Sequence, residues 1–269
     1  MHLPSPLRQE PSAATSPSGV SPAPPTALPL ERHALFLDLD GTLVDYAPQP
    51  GAVTADAPLL SLLETLSRRL AGAIALVSGR SIETLDQLFR PLRLAASGLH
   101  GFERRDATGV HTRHAPPSAE ALGSARRLLG ELAAKDPGLR LEDKHFALAL
   151  HFRQAPQLEA MVLETTRAIA AQIDGGLELV FGPMVVELSP RGVSKASAIA
   201  EFMQEAPFIG RRPLFVGDDA SDEPAFEWVN GAGGLSVVVN PAGPTAAATR
   251  LRSVREVRTW LVGLAGAQP

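Results

Sequence analysis

The sequence predicts an α/β protein with a Rossmann-like core, in which a mostly parallel sheet is covered by helices, and an inserted α+β domain. From residue 31 onward, short strand-like runs that are apolar throughout alternate with segments whose apolar residues recur at helical spacing. This alternation is typical of a parallel sheet buried on both faces. In the middle of the chain the order changes to helix, two strands, helix, two strands, which indicates a second, antiparallel sheet.

The first half of the core is predicted from segments with strand and helix patterns that alternate along the chain. HALFLDLD (33–40) is an apolar strand that ends in two acids, and AIALVSGR (73–80) is a second strand that ends in Ser and Gly. Ser81 is a suitable N-cap for the helix that follows. We predict strands at 33–40, 73–80 and 92–101, helices at 57–70 and 81–89, and a hairpin turn around 106–109.

Residues 115–189 are predicted to form the inserted cap domain, and residues 31–114 and 190–269 the core. The insert has the order αββαββ, with a turn at Lys144 and His145 between its first two strands. Parallel-type organisation returns with a helix that begins near Ser194. We predict helices at 118–136, 156–173 and 254–266, and strands at 139–144, 146–153, 177–182, 184–190, 213–219 and 235–240.

Residues 1–30 differ in composition from the rest of the chain. They are rich in Pro, Ser and Ala and have almost no periodic apolar residues. Such a segment buries too little apolar surface to offset the entropy lost on ordering, so we predict a disordered leader. It lacks the basic start and continuous apolar stretch of a secretory signal.

Composition narrows the function classes. The 269 residues carry a formal net charge of −4 without a basic stretch, so we expect neither a nucleic-acid partner nor a membrane surface. No apolar run approaches the roughly 18 residues that span a bilayer. The chain has no cysteine, which excludes disulfides and thiolate chemistry and agrees with a cytoplasmic protein. Its histidines lack the spacing of a zinc finger or a metalloprotease.

Four polar segments fall at strand ends or helix starts, where parallel sheets place their chemistry. The first is Asp38-Leu39-Asp40-Gly41-Thr42. Two carboxylates at the end of a buried strand repel each other and lose hydration, so they stay ionised at low cost only beside a cation. Gly41 allows the sharp turn after the strand. We therefore interpret Asp38 and Asp40 as functional residues.

The other three segments supply a hydroxyl, a cation and more acids. Ser78 can donate to a phosphoryl oxygen, although Ser-Gly alone commonly marks a turn. Lys195 follows the N-cap Ser194, the wrong helix end for a cation, which suggests an anion nearby. In Gly217-Asp218-Asp219-Ala220-Ser221-Asp222, Asp218 is a suitable Mg²⁺ ligand. Asp222 either caps the next helix or supports the site, and the sequence favours neither.

These segments resemble, in order, the four motifs of the haloacid dehalogenase superfamily of phosphohydrolases. The resemblance implies that Asp38 attacks phosphorus, that Asp40 protonates the leaving group and then activates water, and that Ser78 and Lys195 hold the phosphoryl group. It further implies one Mg²⁺ ion as cofactor. Its implied ligands are Asp38, the backbone carbonyl of Asp40 and Asp218, with Asp219 assisting.

Within the superfamily, the segment from Ala34 to Trp260 resembles the trehalose-6-phosphate phosphatases. The segments that carry this resemblance are SGLHGFERR (97–105), EDK (142–144), VVEL (185–188), RGVSK (191–195) and GDDASDE (217–223). It implies a Mg²⁺-dependent hydrolase that converts trehalose 6-phosphate to trehalose, the last step of trehalose biosynthesis, with a separate synthase chain supplying the substrate. A monomer is expected. The implied substrate-binding residues are Gly79, Arg80, His100, Gly101, Glu103, Arg104, Glu142, Lys144 and Glu187.

Three positions depart from the family pattern. Phe102 stands where a small residue is usual, Ala196 where Gly is usual, and Ser221 where Thr is common. Phe102 is expected to crowd the sugar pocket, so these departures bear on fine specificity and leave the reaction type unchanged.

Two other interpretations remain open from the sequence. Receiver domains of signalling proteins also place acids, a hydroxyl and a lysine at parallel strand ends and form an aspartyl-phosphate. Asp40, which would hasten hydrolysis, and the inserted domain argue against a receiver. A related sugar-phosphate phosphatase or a phosphomutase with the same core is a nearer alternative, which a panel of sugar phosphates would separate.

Overall fold

Two β-sheets organise the part of the chain that the computed structural model describes. The larger sheet has eight strands and the smaller has four. None of the described helices is both long and apolar enough to cross a membrane. The described residues are 22–46, 53–144, 146–173, 176–182, 184–241 and 243–266.

The larger sheet has a parallel centre with an antiparallel extension at one edge. Its strand order is β12-β11-β10-β1-β2-β3-β4-β5, and the pairs from β12 to β3 are all parallel. β3 pairs antiparallel with β4, and β4 pairs antiparallel with β5 through the predicted hairpin around 106–109. The strands are β1 (His33–Leu37), β2 (Ile74–Val77), β3 (Ala95–Gly98), β4 (Glu103–Arg105), β5 (His111–Arg113), β10 (Arg212–Gly217), β11 (Leu235–Val239) and β12 (Thr249–Leu251).

Five helices accompany this sheet and share one hydrophobic cluster with it. α1 packs against α7, and α5 packs against α6. Side-chain N-caps fix several helix starts: Ser81 accepts a hydrogen bond from the Thr84 amide, as the sequence predicts. The helices are α1 (Ala57–Arg69), α2 (Ile82–Leu88), α5 (Lys195–Phe202), α6 (Glu223–Gly231) and α7 (Val254–Ala265).

The smaller sheet is antiparallel, has the order β6-β7-β9-β8, and carries two helices. It has a hydrophobic cluster of its own, formed by residues between Ala121 and Leu188. The predicted αββαββ order is confirmed for the described residues. The elements are α3 (Ala119–Ala133), β6 (Arg140–Asp143), β7 (Leu148–His151), α4 (Glu159–Gln172), β8 (Leu177–Gly182) and β9 (Val185–Pro190). The exact domain boundaries, 115 and 189, stay a prediction.

The fold differs from the sequence prediction at the leader, at the ends of several elements and at one additional strand. Disorder was expected through residue 30, but Pro22–Leu30 runs along the core, where Leu30 is buried and Trp260 Nε1 donates to the Pro25 carbonyl. Residues 1–21 lie outside the described part. The third strand ends at Gly98 rather than residue 101, because a 3₁₀ turn begins at Leu99. β12 was not predicted.

Candidate active site

Asp38 lies at the carboxyl end of β1, in the centre of the parallel sheet. Its amide donates to the carbonyl of Val216 on β10, so the ladder continues one residue past the strand. The residue as a whole is only 4% exposed. A carboxylate this deeply buried needs a positive partner to remain ionised.

Lys195 supplies that partner. It is the first residue of α5, after an N-cap formed by Ser194 and Ser197, as the sequence predicts. Its buried ammonium lies 3.1 Å from Oδ1 of Asp38 and donates to Oδ1 of Asp222 at 2.7 Å. Although burial lowers the pKa of Lys195, Asp222 and Asp38 outweigh it, and the pKa lies above its usual range. Lys195 is therefore a fixed cation.

Asp218 and Asp222 complete a cluster of carboxylates around Asp38. One oxygen atom from each of the three side chains lies within 4.8 Å of the others. Asp222 is fully buried, and its Oδ2 accepts from the amides of Asp218 (2.9 Å) and Asp219 (3.1 Å). Asp222 thus fixes the loop after β10 and pairs with Lys195. It does not cap α6 through its side chain.

Burial raises the pKa of each of these carboxyls. The pKa of Asp38 rises to about 7, because burial and the nearby Asp219 and Asp218 outweigh the effect of Lys195. Burial and Asp219 raise the pKa of Asp218 to about 7. Burial likewise raises the pKa of Asp222 to about 7, against the lowering effect of Lys195. One ammonium does not compensate three buried carboxylates.

The cluster fits a divalent cation. Oδ1 of Asp218 is buried and has no hydrogen-bond partner among the described residues. Gly41 leaves room at the same place, since a β-carbon there would clash with Oδ2 of Asp218. Carboxylate oxygens are the ligands that Mg²⁺ prefers in proteins. Of the predicted ligands, Asp38 and Asp218 belong to the cluster.

The other two predicted metal ligands have different partners. Asp219 is exposed, and its Oδ1 accepts from the amide and the hydroxyl of Ser221. The Asp40 carboxylate accepts two hydrogen bonds from Arg80, from Nε at 2.6 Å and from Nη2 at 2.8 Å. Arg80 therefore holds Asp40 in a bidentate pair, an arrangement with fixed geometry. The sequence predicted Arg80 to bind substrate.

Ser78, Gly79 and His100 form the wall beside Asp38. Ser78 is buried after β2, and its Oγ accepts from the Arg80 amide at 3.2 Å. The His100 amide donates to the Ser78 carbonyl, and a β-carbon on Gly79 would clash with the His100 ring. Nδ1 of His100 is buried without a partner in the described part of the chain. Burial, with Lys195 and Lys144, lowers the pKa of His100 to about 4, so the ring is neutral.

Charged residues of the smaller sheet face this site. Lys144 Nζ donates to Oε2 of Glu187 at 2.8 Å, and Ser189 donates to the other Glu187 oxygen. Although burial raises the pKa of Glu187, Lys144 and Ser189 outweigh it and the pKa lies below its usual range. Glu142 Oε2 lies 2.8 Å from Nε2 of His151. Each of these ionic groups therefore has a partner within the protein.

One cavity of about 810 Å³ joins the two groups of residues. Residues of the larger sheet and of the smaller sheet both line it. A volume of this size holds a small organic molecule. The predicted site residues on its wall are Asp38, Asp40, Ser78, Gly79, Arg80, His100, Glu142, Lys144, Glu187, Lys195 and Asp219.

Three residues predicted to bind substrate do not line the cavity. Glu103 is buried and accepts from the Ile82 amide at 2.6 Å. Arg104 pairs with Glu201 and Glu205. Gly101 (φ +110°) lets the turn before β4 approach Ser194, where a β-carbon would clash. These three residues therefore contact neighbouring parts of the protein instead of the cavity.

The sequence prediction missed two residues at the site. Tyr46 donates to Oδ2 of Asp218 at 2.9 Å, across 172 positions of the chain, and no local pattern signals this contact. Phe146 lines the cavity beside Lys144. It lies in the turn after β6, where strand alternation does not predict which way a side chain points.

The mostly parallel sheet and the smaller second sheet give this α/β protein a fold of the haloacid dehalogenase type. A family model for trehalose-phosphatases matches residues 36–255. The chain therefore belongs to the trehalose-phosphatase family.

Two relatives agree with this membership, and one solved structure shares the fold. The chain is 46% identical over 231 residues to the trehalose-6-phosphate phosphatase of Escherichia coli strain K12, covering 86% of this chain and 85% of that protein. It is 42% identical over 225 residues to a probable trehalose-phosphate phosphatase of Sinorhizobium fredii, covering 81% and 82%. The C-terminal domain of C. albicans trehalose-6-phosphate phosphatase shares the fold, with a TM-score of 0.75, 23% identity and coverage of 93% and 99%.

Proposed function

We propose that this protein hydrolyses trehalose 6-phosphate to trehalose and inorganic phosphate through an aspartyl-phosphate on Asp38, with Mg²⁺ as cofactor. One observation carries the proposal. A buried Asp38–Lys195 pair and a half-buried Lys144–Glu187 pair face each other across one cavity, as a phosphoryl-transfer site and a hydroxyl-binding site would. The names of the related proteins favour trehalose 6-phosphate as the substrate.

The chemistry divides into two displacements at phosphorus. In the first, an oxygen of Asp38 attacks phosphorus, the bond to the sugar oxygen breaks, and Asp40 gives that oxygen a proton. In the second, Asp40 takes a proton from water, the water oxygen attacks the aspartyl-phosphate, and phosphate leaves with Asp38 restored. Arg80 keeps the Asp40 carboxylate on the cavity wall between the steps.

The phosphoryl oxygens need positive charge and hydrogen-bond donors. Lys195 and the Ser78 hydroxyl supply these from the protein, and both are preorganised by burial. We assign Mg²⁺ to Asp38, Asp218 and the backbone carbonyl of Asp40. When bound there, the ion offsets negative charge on the phosphoryl oxygens. Asp219 assists from the rim, and Asp222 keeps Lys195 in place.

The smaller sheet's wall of the cavity recognises the sugar leaving group. Glu142, Lys144 and Glu187 offer carboxylates and an ammonium to sugar hydroxyls. A site whose buried polar groups pair with hydroxyls rejects analogues that leave those groups unpaired. A disaccharide long enough to reach these residues from Asp38 is therefore expected to react faster than a monosaccharide phosphate.

A substrate panel tests the proposal. Phosphate release is measured with Mg²⁺ on the 6-phosphates of trehalose, sucrose, glucose and mannose. We expect kcat/KM for trehalose 6-phosphate to exceed the others by about tenfold or more, the discrimination that unpaired polar groups provide. Equal efficiency on glucose 6-phosphate would contradict the disaccharide assignment. Isomerised sugar phosphate without free phosphate would indicate a phosphomutase. A long-lived phosphoenzyme would indicate a receiver domain.

A further inference from the structure

Two phenylalanines from the two sheets stack against each other at the cavity. Phe102 precedes β4 of the larger sheet, and Phe146 lies in the turn between β6 and β7 of the smaller sheet. Their ring centroids are 4.0 Å apart, with an angle of 18° between the planes. Both rings line the cavity. The stack is therefore a contact between the two sheets at the site itself.

This stack is separate from both hydrophobic clusters. Phe102 is only 3% exposed, yet within the described residues it belongs to neither cluster, and neither does Phe146. Phe146 stacks on the buried Phe102 ring and so contributes to its burial. The contact thus depends on how the two sheets are placed at the cavity.

The backbone ties each ring to residues of the site. The Phe146 amide donates to the Lys144 carbonyl, and the Lys144 amide donates to the Ala147 carbonyl, so Phe146 and Lys144 share one tight turn. On the other side, the Phe102 amide donates to the Leu99 carbonyl, and the His100 amide in that turn donates to the Ser78 carbonyl. A fixed stack consequently fixes Lys144 relative to Ser78.

We propose that Phe102 and Phe146 act as a pair of positioning residues that holds Lys144, and through it Glu187, at a set distance from the catalytic carboxylates. This inference rests on the proposed function and adds a residue pair to it. The stack has its effect on substrates whose leaving group reaches Lys144 and Glu187. A small aryl phosphate needs only the catalytic side and depends on the pair much less.

The test compares two substrates in one variant. In Phe146→Ala, kcat/KM for trehalose 6-phosphate is expected to fall about tenfold, and the loss on p-nitrophenyl phosphate to be at least about fivefold smaller. Phe146→Tyr keeps the ring and is expected to restore most of the loss. Phe146 is half-buried, so the alanine variant is expected to fold, which its melting temperature checks.

Phe181→Ala is the matched control. Phe181 is a half-exposed phenylalanine on β8, stacked under Arg167 and away from the cavity lining. Its removal is expected to leave the ratio of the two substrates unchanged. In a Glu187→Ala background, Phe146→Ala is expected to add less than about twofold on trehalose 6-phosphate, because the pair acts through the same group.

The outcomes separate the inference from the proposed function. Wild-type protein that hydrolyses aryl phosphate and leaves trehalose 6-phosphate untouched would overturn both. Wild-type protein that prefers trehalose 6-phosphate, with a Phe146→Ala ratio equal to that of Phe181→Ala, would overturn the positioning pair alone. Equal losses of Phe146→Ala on both substrates would also overturn it, since they would indicate a general structural role.

Discussion

The ion pairs on the two walls of the cavity differ in burial and in charge balance. On the larger sheet, the side chains of Lys195 and Asp38 are 3% and 6% exposed, and the cluster around Lys195 has more carboxylates than cations. On the smaller sheet, Lys144 and Glu187 are 30% and 20% exposed and pair one to one. The first arrangement is electrostatically incomplete, whereas the second is balanced.

This difference explains why we assign chemistry to one wall and recognition to the other. Buried, uncompensated carboxylates attract a cation and an anionic group, and they cost stability until these bind. A balanced, partly hydrated pair exchanges its partners for ligand hydroxyls at little cost. Substitutions on the first wall should therefore abolish turnover, and substitutions on the second should change which substrate is turned over.

The largest expected effect is at Asp38. We expect Asp38→Asn to lower phosphate release by at least about 10³-fold, because an amide is a poor nucleophile towards phosphorus. The melting temperature should stay close to that of the wild type, since asparagine has the same shape. Asp106→Asn, in the exposed β4–β5 turn, is the control and should keep full activity. Unaltered turnover in Asp38→Asn would refute the nucleophile assignment.

An intermediate effect is expected at Glu187. Glu187→Ala removes a hydroxyl-binding carboxylate and leaves Lys144 without its partner. We expect kcat/KM to fall about tenfold more for trehalose 6-phosphate than for p-nitrophenyl phosphate. Glu164→Ala, an exposed glutamate on α4, serves as the matched control. Equal losses on the two substrates would assign Glu187 a structural role and remove the contrast between the walls.

The smallest expected effect is a change of thermal stability with pH and with removal of the metal. Asp38, Asp218 and Asp222 have folded-state pKa values of about 7, above the usual value of 3.8. A carboxyl with a raised pKa stabilises the fold fully below its unfolded pKa and loses that contribution as pH rises through the folded value. The protein in EDTA should therefore lose stability between about pH 4 and pH 7 and change little above that.

Mg²⁺ should reverse that loss. The neutral His100, whose pKa is lowered to about 4 from 6.5, acts in the opposite direction between about pH 4 and pH 6.5, where it offsets part of the effect of the three carboxyls. We expect Mg²⁺ to raise the melting temperature by roughly 5 °C at pH 8 and by much less at pH 5. The measurement is thermal unfolding with and without Mg²⁺, with Asp218→Asn as the control. Equal stabilisation at both pH values would contradict a carboxylate metal site.

The elements of both sheets could largely be predicted from periodicity. Strands such as β1 and β2 are apolar throughout, and the αββαββ order of the insert follows from local pattern. Asp38, Ser78 and Lys195 could be predicted because each follows a local rule about strand ends or helix starts. The packing of Pro22–Leu30 could not, since its composition is that of a solvated leader and its partners, such as Trp260, are remote.

Within the site, several predicted residues have partners that are decided by side-chain orientation. Glu103 and Arg104 stand next to the His100 loop, but their side chains pair with Ile82, Glu201 and Glu205 instead of the cavity. Asp219 turns to Ser221, while Asp222 joins the cluster. A sequence motif names the residue types that a site contains, and it leaves the direction of each side chain open.

The sequence by itself determined the chemistry of this protein: which strand ends carry acids, where the cation stands, and which segment is inserted between them. Local propensity and burial pattern decide these features, because they depend on neighbouring residues alone. Only the tertiary structure decided which carboxylates share one cluster, that Arg80 holds Asp40, and that Phe102 meets Phe146. Those contacts join segments that are far apart in the chain, and their energies depend on packing that no local pattern encodes.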